Sequence, residues 1–313
     1  MAMETRQKFI LHEHENNTQT KTPSKIASIF ADLKALLKLV VLIINVMPVV
    51  TGYLLALHFS GESLTNHIAS FIITIVGSFF VIAGALILNN WYEADLDKHM
   101  KRTKRRPTVT GNFSLHTVLK VGIISSIIGF VFLMFTTWEA TLYAFIGWFT
   151  YVVLYTFWTK RKYTLNTVVG SVSGAVTPLI GWAVIAPSYH IVPVMLFIIL
   201  FIWQIPHTFA IAMRRYDDYK RAGVPMLPVV AGFEVTKRQM LVWIITLFPI
   251  PFFLFSLGKT FVIIATILNI LWIILAIRGF FMKDDIKWAN MMFRSSLQYL
   301  TILFGMMIII SLF

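Results

Sequence analysis

The sequence predicts an all-α polytopic membrane protein: nine transmembrane helices around a central cavity, with the N-terminus inside and the C-terminus outside. Three observations carry that prediction. The chain is 58% hydrophobic and holds charged residues to 13%. Its apolar residues come in blocks close to the roughly 20 residues that cross a bilayer as a helix. Its Lys and Arg collect in alternate connections between those blocks, as the positive-inside rule requires of short loops.

Taken in order, apolar runs bounded by charge or turn residues place helices near 34–58, 68–94, 115–136, 140–158, 165–186, 191–213, 239–257, 260–280 and 296–313. Ahead of them, residues 1–33 read as a mobile, solvated tail. The stretch MAMETRQKFILHEHENNTQTKTPSKIASIF lacks an apolar core and contains Glu4, Glu13 and Glu15, which argues against a secretory signal and against an acid-poor transit peptide. With that tail inside, every Lys and Arg except Lys259 falls on the inner face. The outer connections HFSGESLTNH, TTWEA and APSYH carry none. The longest loops are about 20 to 25 residues, too short for an interposed soluble domain, so 34–313 reads as a single membrane domain with its functional loops on the cytoplasmic face.

Zero Cys removes disulfides, Cys-ligated zinc, iron–sulfur clusters and thiol nucleophiles, and leaves carboxylates, His, Tyr, amides or a bound ion to carry any chemistry. The net charge of +13 is spent on orientation in lipid, and the reading includes membrane lipid but no nucleic acid as a partner.

The chemistry begins where the second span ends, in LNNWYEADLDKHMKRTKRRP. Asn89, Glu93 and Asp97 follow one another at i, i+4 and i+8, which puts them within about 80° of one another on a helix. Asp95 points elsewhere. Carboxylates at a helix C-terminus are disfavoured by up to about 1 kcal/mol each, so something positive must compensate them. Two candidates exist: the following Lys98, Lys101, Arg102, Lys104, Arg105 and Arg106, or a divalent cation. Surface ion pairs in a solvated loop are the plain alternative. An amide oxygen and two carboxylates on one face are hard ligands suited to Mg²⁺, which completes its shell with water and substrate phosphate.

A second acidic cluster, Asp217 and Asp218, stands at the same end of the sixth span in WQIPHTFAIAMRRYDDYKRAGVPMLPVV. Four spans separate the two, so the chain reads as a weak four-plus-four repeat with a ninth helix added. Asp217 and Asp218 either pair with Arg214, Arg215, Lys220 and Arg221, or face the first cluster across a cavity and share a diphosphate through a pair of Mg²⁺ ions. His207 lies on nearly the same helical face as Asp218 and roughly 16 Å deeper along the axis. It is either a ligand or substrate contact, or a partner for the backbone carbonyl that Pro206 frees. Lys160 and Arg161 sit in the short loop after the fourth span as orientation charges or anion contacts. The Gly170, Ser171, Ser173, Gly174, Ala175 run reads first as small-residue helix packing.

Three blocks, NNWYEADLDKHMKRTKRRP, YTFWTKRKYTLNTVVGSVSGAVTPLIGW and WQIPHTFAIAMRRYDDYKRAGVPMLPVV, resemble the signatures of the protohaem IX farnesyltransferases (haem O synthases), a branch of the UbiA-type intramembrane prenyltransferases. The similarity runs from about Leu36 to the C-terminus. RTKRRP, WQIPH and AGVPMLP point to the haem branch, whereas an Asn-x-x-x-Asp-x-x-x-Asp spacing alone points only to the superfamily. The resemblance implies Asn89, Glu93 and Asp97 as the first Mg²⁺–diphosphate motif, with Glu93 one methylene longer than the usual Asp. It implies Asp217 and Asp218 as a second motif that departs from Asp-x-x-x-Asp and holds its metal through one carboxylate and water.

The same resemblance implies transfer of a farnesyl group from farnesyl diphosphate to a vinyl group of haem b. It implies Lys98, Arg102, Arg106, Lys160 and Arg161 as donors to the departing diphosphate, beside Mg²⁺ in two sites. His207 takes the haem side, as an axial ligand through a neutral imidazole nitrogen. Haem A synthase and terminal oxidase assembly factors are the implied protein partners, and the cell membrane the location. Two rivals remain: a UbiA-type enzyme with an aromatic quinone-precursor acceptor, and a non-enzymatic haem or ion transporter. The second predicts acids near the bilayer midplane rather than at span ends.

Overall fold

The computed structural model describes residues 25–313. Among them every regular element is helical, and no strand occurs. Residues 1–24 of the expected tail lie outside the described residues. Residues 25–33 are already helical, in α1 (Lys25–Leu37).

The long helices follow the apolar blocks: α2 (Leu39–Ser60), α3 (Ile68–Tyr92), α4 (Leu115–Met134), α5 (Trp138–Phe149), α8 (Ile191–Arg214), α11 (Lys259–Arg278) and α12 (Asp285–Ile310). Among the described residues, seven helical stretches are long and apolar enough to cross a membrane. Side chains fix their starts. Ser114 accepts from the Thr117 amide at 3.1 Å, Thr137 from Ala140 at 3.1 Å and Asp284 from Lys287 at 2.8 Å. Gly61, at φ 67°, closes α2 in the left-handed region that a Cβ disfavours.

The other two expected spans are helical but interrupted. Residues 165–186 form α6 (Asn166–Ala175) and α7 (Thr177–Trp182), separated at Val176, where Pro178 at the start of α7 offers no amide to the preceding turn. The expected 239–257 span starts earlier, as α10 (Leu227–Thr246). It bends at Gly232 and gives way after Thr246 to short turns, Ile250–Phe253 and Phe255–Leu257, around Pro249 and Pro251.

Packing places α8 at the centre, against α6, α10 and α12. Its largest buried cluster includes Leu196, Ile205 and Met213, with Trp182 and Trp288 from its neighbours. The chain crosses most closely between α2 and α7. A Cβ on Gly52 would sit 2.0 Å from the Pro178 carbonyl oxygen, and one on Gly181 1.9 Å from that of Val49. Only hydrogen fits at either position, as in small-residue contacts between membrane helices.

Candidate functional site

The spacing of Asn89, Glu93 and Asp97 survives the end of α3. The Glu93 amide bonds to Asn89 O at 3.0 Å and the Asp97 amide to Glu93 O at 2.9 Å, so helical turns continue through Ala94–Asp97 and keep one face aligned. All three side chains are buried. An unpaired carboxylate so placed is strongly disfavoured, and each one present has a cation of its own.

Those two cations, and a third that serves the Asn89 amide, arrive from three separate segments. Lys38, between α1 and α2, donates to Asn89 Oδ1 at 2.6 Å. Lys160 pairs with Glu93 Oε1, and Arg106 donates to Asp97 Oδ2 at 2.5 Å. Asn89 Nδ2 completes the stripe by donating to Glu93 Oε1 at 2.7 Å and Thr156 Oγ1 at 3.0 Å. Lys38 has φ 47°, the one positive value among described residues other than glycine. That conformation costs roughly 1–2 kcal/mol and aims the chain from α1 back over the stripe.

Delivery of Lys160 depends on an unusual helix. Beyond α5 the turns widen to a π-helix over Thr150–Trp158, a form associated with functional positions. Thr159 Oγ1 closes it by donating to Leu154 O at 2.8 Å. Tyr155 then faces the interior with Lys160 Nζ 5.3 Å from its ring centre, and Thr156 meets Asn89. Arg161 turns the other way. It grips the exposed Asp95 at 2.8 Å and lies over the Tyr92 ring, and its hydrogen bond holds the Asp95 carboxyl below the usual range.

The loop after Asp97 joins the two acidic clusters. Thr103 Oγ1 donates to Asp97 O at 3.0 Å, and the Lys101 amide donates to Asp218 Oδ1, also at 3.0 Å. Met100 packs with Ala212, Val224 and Met226 from the second cluster's surroundings. Asp218 is buried and also takes Arg221. Its neighbour Asp217 is exposed and lines a separate groove with Arg214, Tyr216 and Glu234. Lys98 and Arg102 are exposed on the loop. The structure therefore gathers Asn89, Glu93, Asp97, Arg106, Lys160 and Asp218 at one end of the bundle, and leaves Asp217, Lys98, Arg102 and Arg161 at its periphery.

Below this end lies a chamber of about 250 Å³, bordered by Trp148, Tyr151, Tyr155, Ser171, Gln204 and Thr208. Gly170, Ser171 and Ser173 are chamber wall, and Gly174 is where the Gln204 amide passes: a Cβ there would meet its Nε2 at 2.5 Å. Small residues thus serve a cavity as well as packing.

His207 occupies the neighbouring face of α8, towards α12. It is stacked between Trp203, centroids 4.6 Å apart, and Phe293, 5.2 Å apart. Ser296 Oγ donates to Phe293 O at 2.7 Å, so its single proton is committed. His207 Nδ1, 2.7 Å from the same oxygen, must then donate, which leaves the Nε2 lone pair available. His207 thus does not serve the backbone gap at Pro206. Gln204 does not either, since it donates to Leu200 O at 3.2 Å.

Among the described residues no three acidic or His side chains form a ready metal cage. The stripe still fits Mg²⁺. It offers hard oxygens whose buried surroundings already require positive charge, and Mg²⁺ is commonly held by one or two carboxylates with water and substrate phosphate. Sequence reasoning missed Lys38, Thr156 and Tyr155. Lys38 could have been found as a charge interrupting an otherwise apolar run, but it had been accounted for as an orientation charge.

Residues 45–297 match the model of the UbiA prenyltransferase family. A protoheme IX farnesyltransferase of Oceanobacillus iheyensis is 53% identical over 297 residues, 95% of each chain. One from Bacillus cereus is 54% identical over 301 residues, 96% of this chain and 97% of the other. A solved digeranylgeranylglyceryl phosphate synthase superposes with a TM-score of 0.71 at 19% identity, covering 90% of this chain and 98% of that one. A UbiA homolog from Archaeoglobus fulgidus bound to DMAPP and Mg²⁺ gives 0.67 at 15% identity, covering 89% and 98%.

Proposed function

Because the chain belongs to the UbiA prenyltransferase family, we propose that the buried stripe is its diphosphate-handling centre, and that its reaction is farnesyl transfer from farnesyl diphosphate to a vinyl group of haem b, giving haem O. The observation that carries this reading is the trio of basic groups, Lys38, Arg106 and Lys160, converging on Asn89, Asp97 and Glu93 above an apolar chamber. A diphosphate entering there meets cations already aimed at one point, and its isoprenoid tail has an apolar space below.

The residues present can divide the work as follows. Asn89, Glu93 and Asp97 would hold one Mg²⁺ and Asp218 a second, with Asp217 as an outer contact. When bound, Mg²⁺ neutralises the leaving diphosphate. Lys160, Arg106 and Lys38 exchange their carboxylate and amide partners for diphosphate oxygens as the carbon–oxygen bond breaks, with Lys98, Arg102 and Arg161 attracting the anion from the periphery. Tyr151, Tyr155 and Trp148 present ring faces to the developing allylic cation. The chamber keeps water from that carbon until the vinyl group of haem has added. Water then adds to the resulting cation and gives up a proton to solvent, leaving the hydroxyethylfarnesyl group. His207, with its Nε2 lone pair available, takes the haem side.

The same reading sets nine crossings, N-in and C-out, with α6–α7 and the α10 region as the two interrupted spans. It puts the site on the cytoplasmic face of the cell membrane, a single catalytic domain over 34–313, and haem A synthase or oxidase assembly factors downstream. The decisive assay combines purified protein, haem b, farnesyl diphosphate and Mg²⁺, with mass detection of farnesylated haem. Asp97→Asn should lose Mg²⁺-dependent product by about 10²-fold or more even when turnover is normalised to the folded fraction. Undiminished turnover by wild type with Mg²⁺ chelated would refute the assignment.

A further inference from the structure

Beside the chamber, α8 and α12 carry a ladder of flat groups: Trp203, His207, Phe293 and then Arg214, whose guanidinium lies 4.1 Å from the Phe293 ring centre. Arg214 Nε donates to Asn290 Oδ1 at 2.6 Å, which fixes the plane of the group. Its two terminal nitrogens have no partner among the described residues. Arg215 is the next residue, Arg294 stands one helical turn beyond Asn290 on the same face of α12, and no carboxylate lies within ion-pair distance of Arg214 or Arg294 among the described residues. Like charges held together without an acid form an arrangement that an anionic ligand would relieve. Arg214 opens onto a groove of about 690 Å³ that also includes Tyr216, Phe233, Asp217 and Glu234. Of the two acids, Glu234 is taken by Lys237.

Spacing narrows the anion. Arg214 follows His207 by seven residues, two turns or ~10.5 Å along α8 on the same face. A porphyrin bound through Nε2 of His207 would span a comparable distance from its iron to the carboxylates at its edge. We propose that Arg214 and Arg294 form the receiving site for the propionates of the haem acceptor, setting the macrocycle beside His207 with its vinyl edge directed into the protein. The inference rests on the acceptor being haem, and it adds a specificity element that the diphosphate centre does not supply. Two arginines bind two carboxylates in a fork geometry that neutral porphyrin esters cannot use.

The test compares haem b with its dimethyl ester, in which both propionates are blocked. It uses Soret titrations and steady-state kinetics on full-length protein in nanodiscs of neutral lipid and, in parallel, of anionic lipid. Wild type should bind haem b about 10-fold or more tightly than the diester. Arg294→Gln, at an exposed position, and Arg214→Gln should each lose about 10-fold in haem b affinity, leave diester affinity unchanged, and keep the KM for farnesyl diphosphate. Arg214→Lys, which keeps charge but not the fork, should fall between, and it controls for loss of folding. Equal losses for haem b and diester, or no loss, would overturn the proposal. So would a loss seen only in discs with anionic lipid, which would make the arginines a headgroup site. If wild type forms no farnesylated haem at all, the functional reading fails first and separately.

Discussion

At the level of single residues, the site is governed by the cost of burying charge. Glu93 and Asp97 are 5% and 2% exposed, yet both remain compatible with folding because Lys160 and Arg106 reach them from other segments. Removing one partner of such a pair costs about 3–5 kcal/mol, whereas replacing both with apolar groups is often nearly neutral. Lys160→Met should therefore destabilise the protein measurably in detergent, and Glu93→Gln in the same chain should recover much of that loss while restoring no activity. Thermal unfolding of the two single variants and the double variant checks this. The same pairings predict how metal binds. Each ligand side chain already has a cationic partner, so Mn²⁺ should bind weakly by itself and much more tightly with a non-hydrolysable farnesyl diphosphate analogue, which gives Lys38, Arg106 and Lys160 another anion to hold. Equal Mn²⁺ affinity with and without the analogue, read by electron paramagnetic resonance, would contradict this.

At the level of elements, interruptions in the helices do as much as the helices. The π-turns of Thr150–Trp158 direct Tyr155 to the chamber and Lys160 to Glu93, and the left-handed residue at Lys38 directs its amine to Asn89. None of this was legible in the sequence, because hydrophobic periodicity registers that a segment is helical and not how its turns are wound. Another link joins α10 to α12: the buried Lys237 amine holds Glu234 at 2.9 Å and Asp285 at 2.6 Å. Lys237→Met would leave Glu234 and Asp285 without their shared cation, so it should unfold more readily than wild type at neutral pH, by about 1–3 kcal/mol. Urea or thermal melts decide it.

At the level of the whole molecule, the site exists because distant parts of the chain end on the same side. The backbone bond from Lys101 to Asp218 Oδ1 and the packing of Met100 against Ala212 make the two acidic regions one structure across more than a hundred residues. Orientation in the membrane is open to direct test, since the chain has no Cys. Cysteine placed at exposed Glu62 should react with a membrane-impermeant maleimide in intact cells. Cysteine at exposed Arg105 should react only after permeabilisation. The reverse pattern would invert the topology and move the diphosphate site to the outer face.

The linear chain by itself determined that this protein is helical and lives in lipid, because apolar block length and charge placement are local properties that burial in a bilayer makes unambiguous. It also determined the acid stripe, since i, i+4, i+8 spacing needs only a continuous helix. Tertiary structure decided which charges serve that stripe. Of the basic residues in the neighbouring loops, Arg106 and Lys160 turn inward while Lys98, Arg102 and Arg161 stay outside, and Lys38 joins from a segment 51 positions away. It likewise separated Asp218, which is buried, from Asp217, its neighbour in the chain, which is exposed. The reason is that a buried carboxylate takes whichever cation the packed backbone can deliver, and that choice is made only once the helices have met.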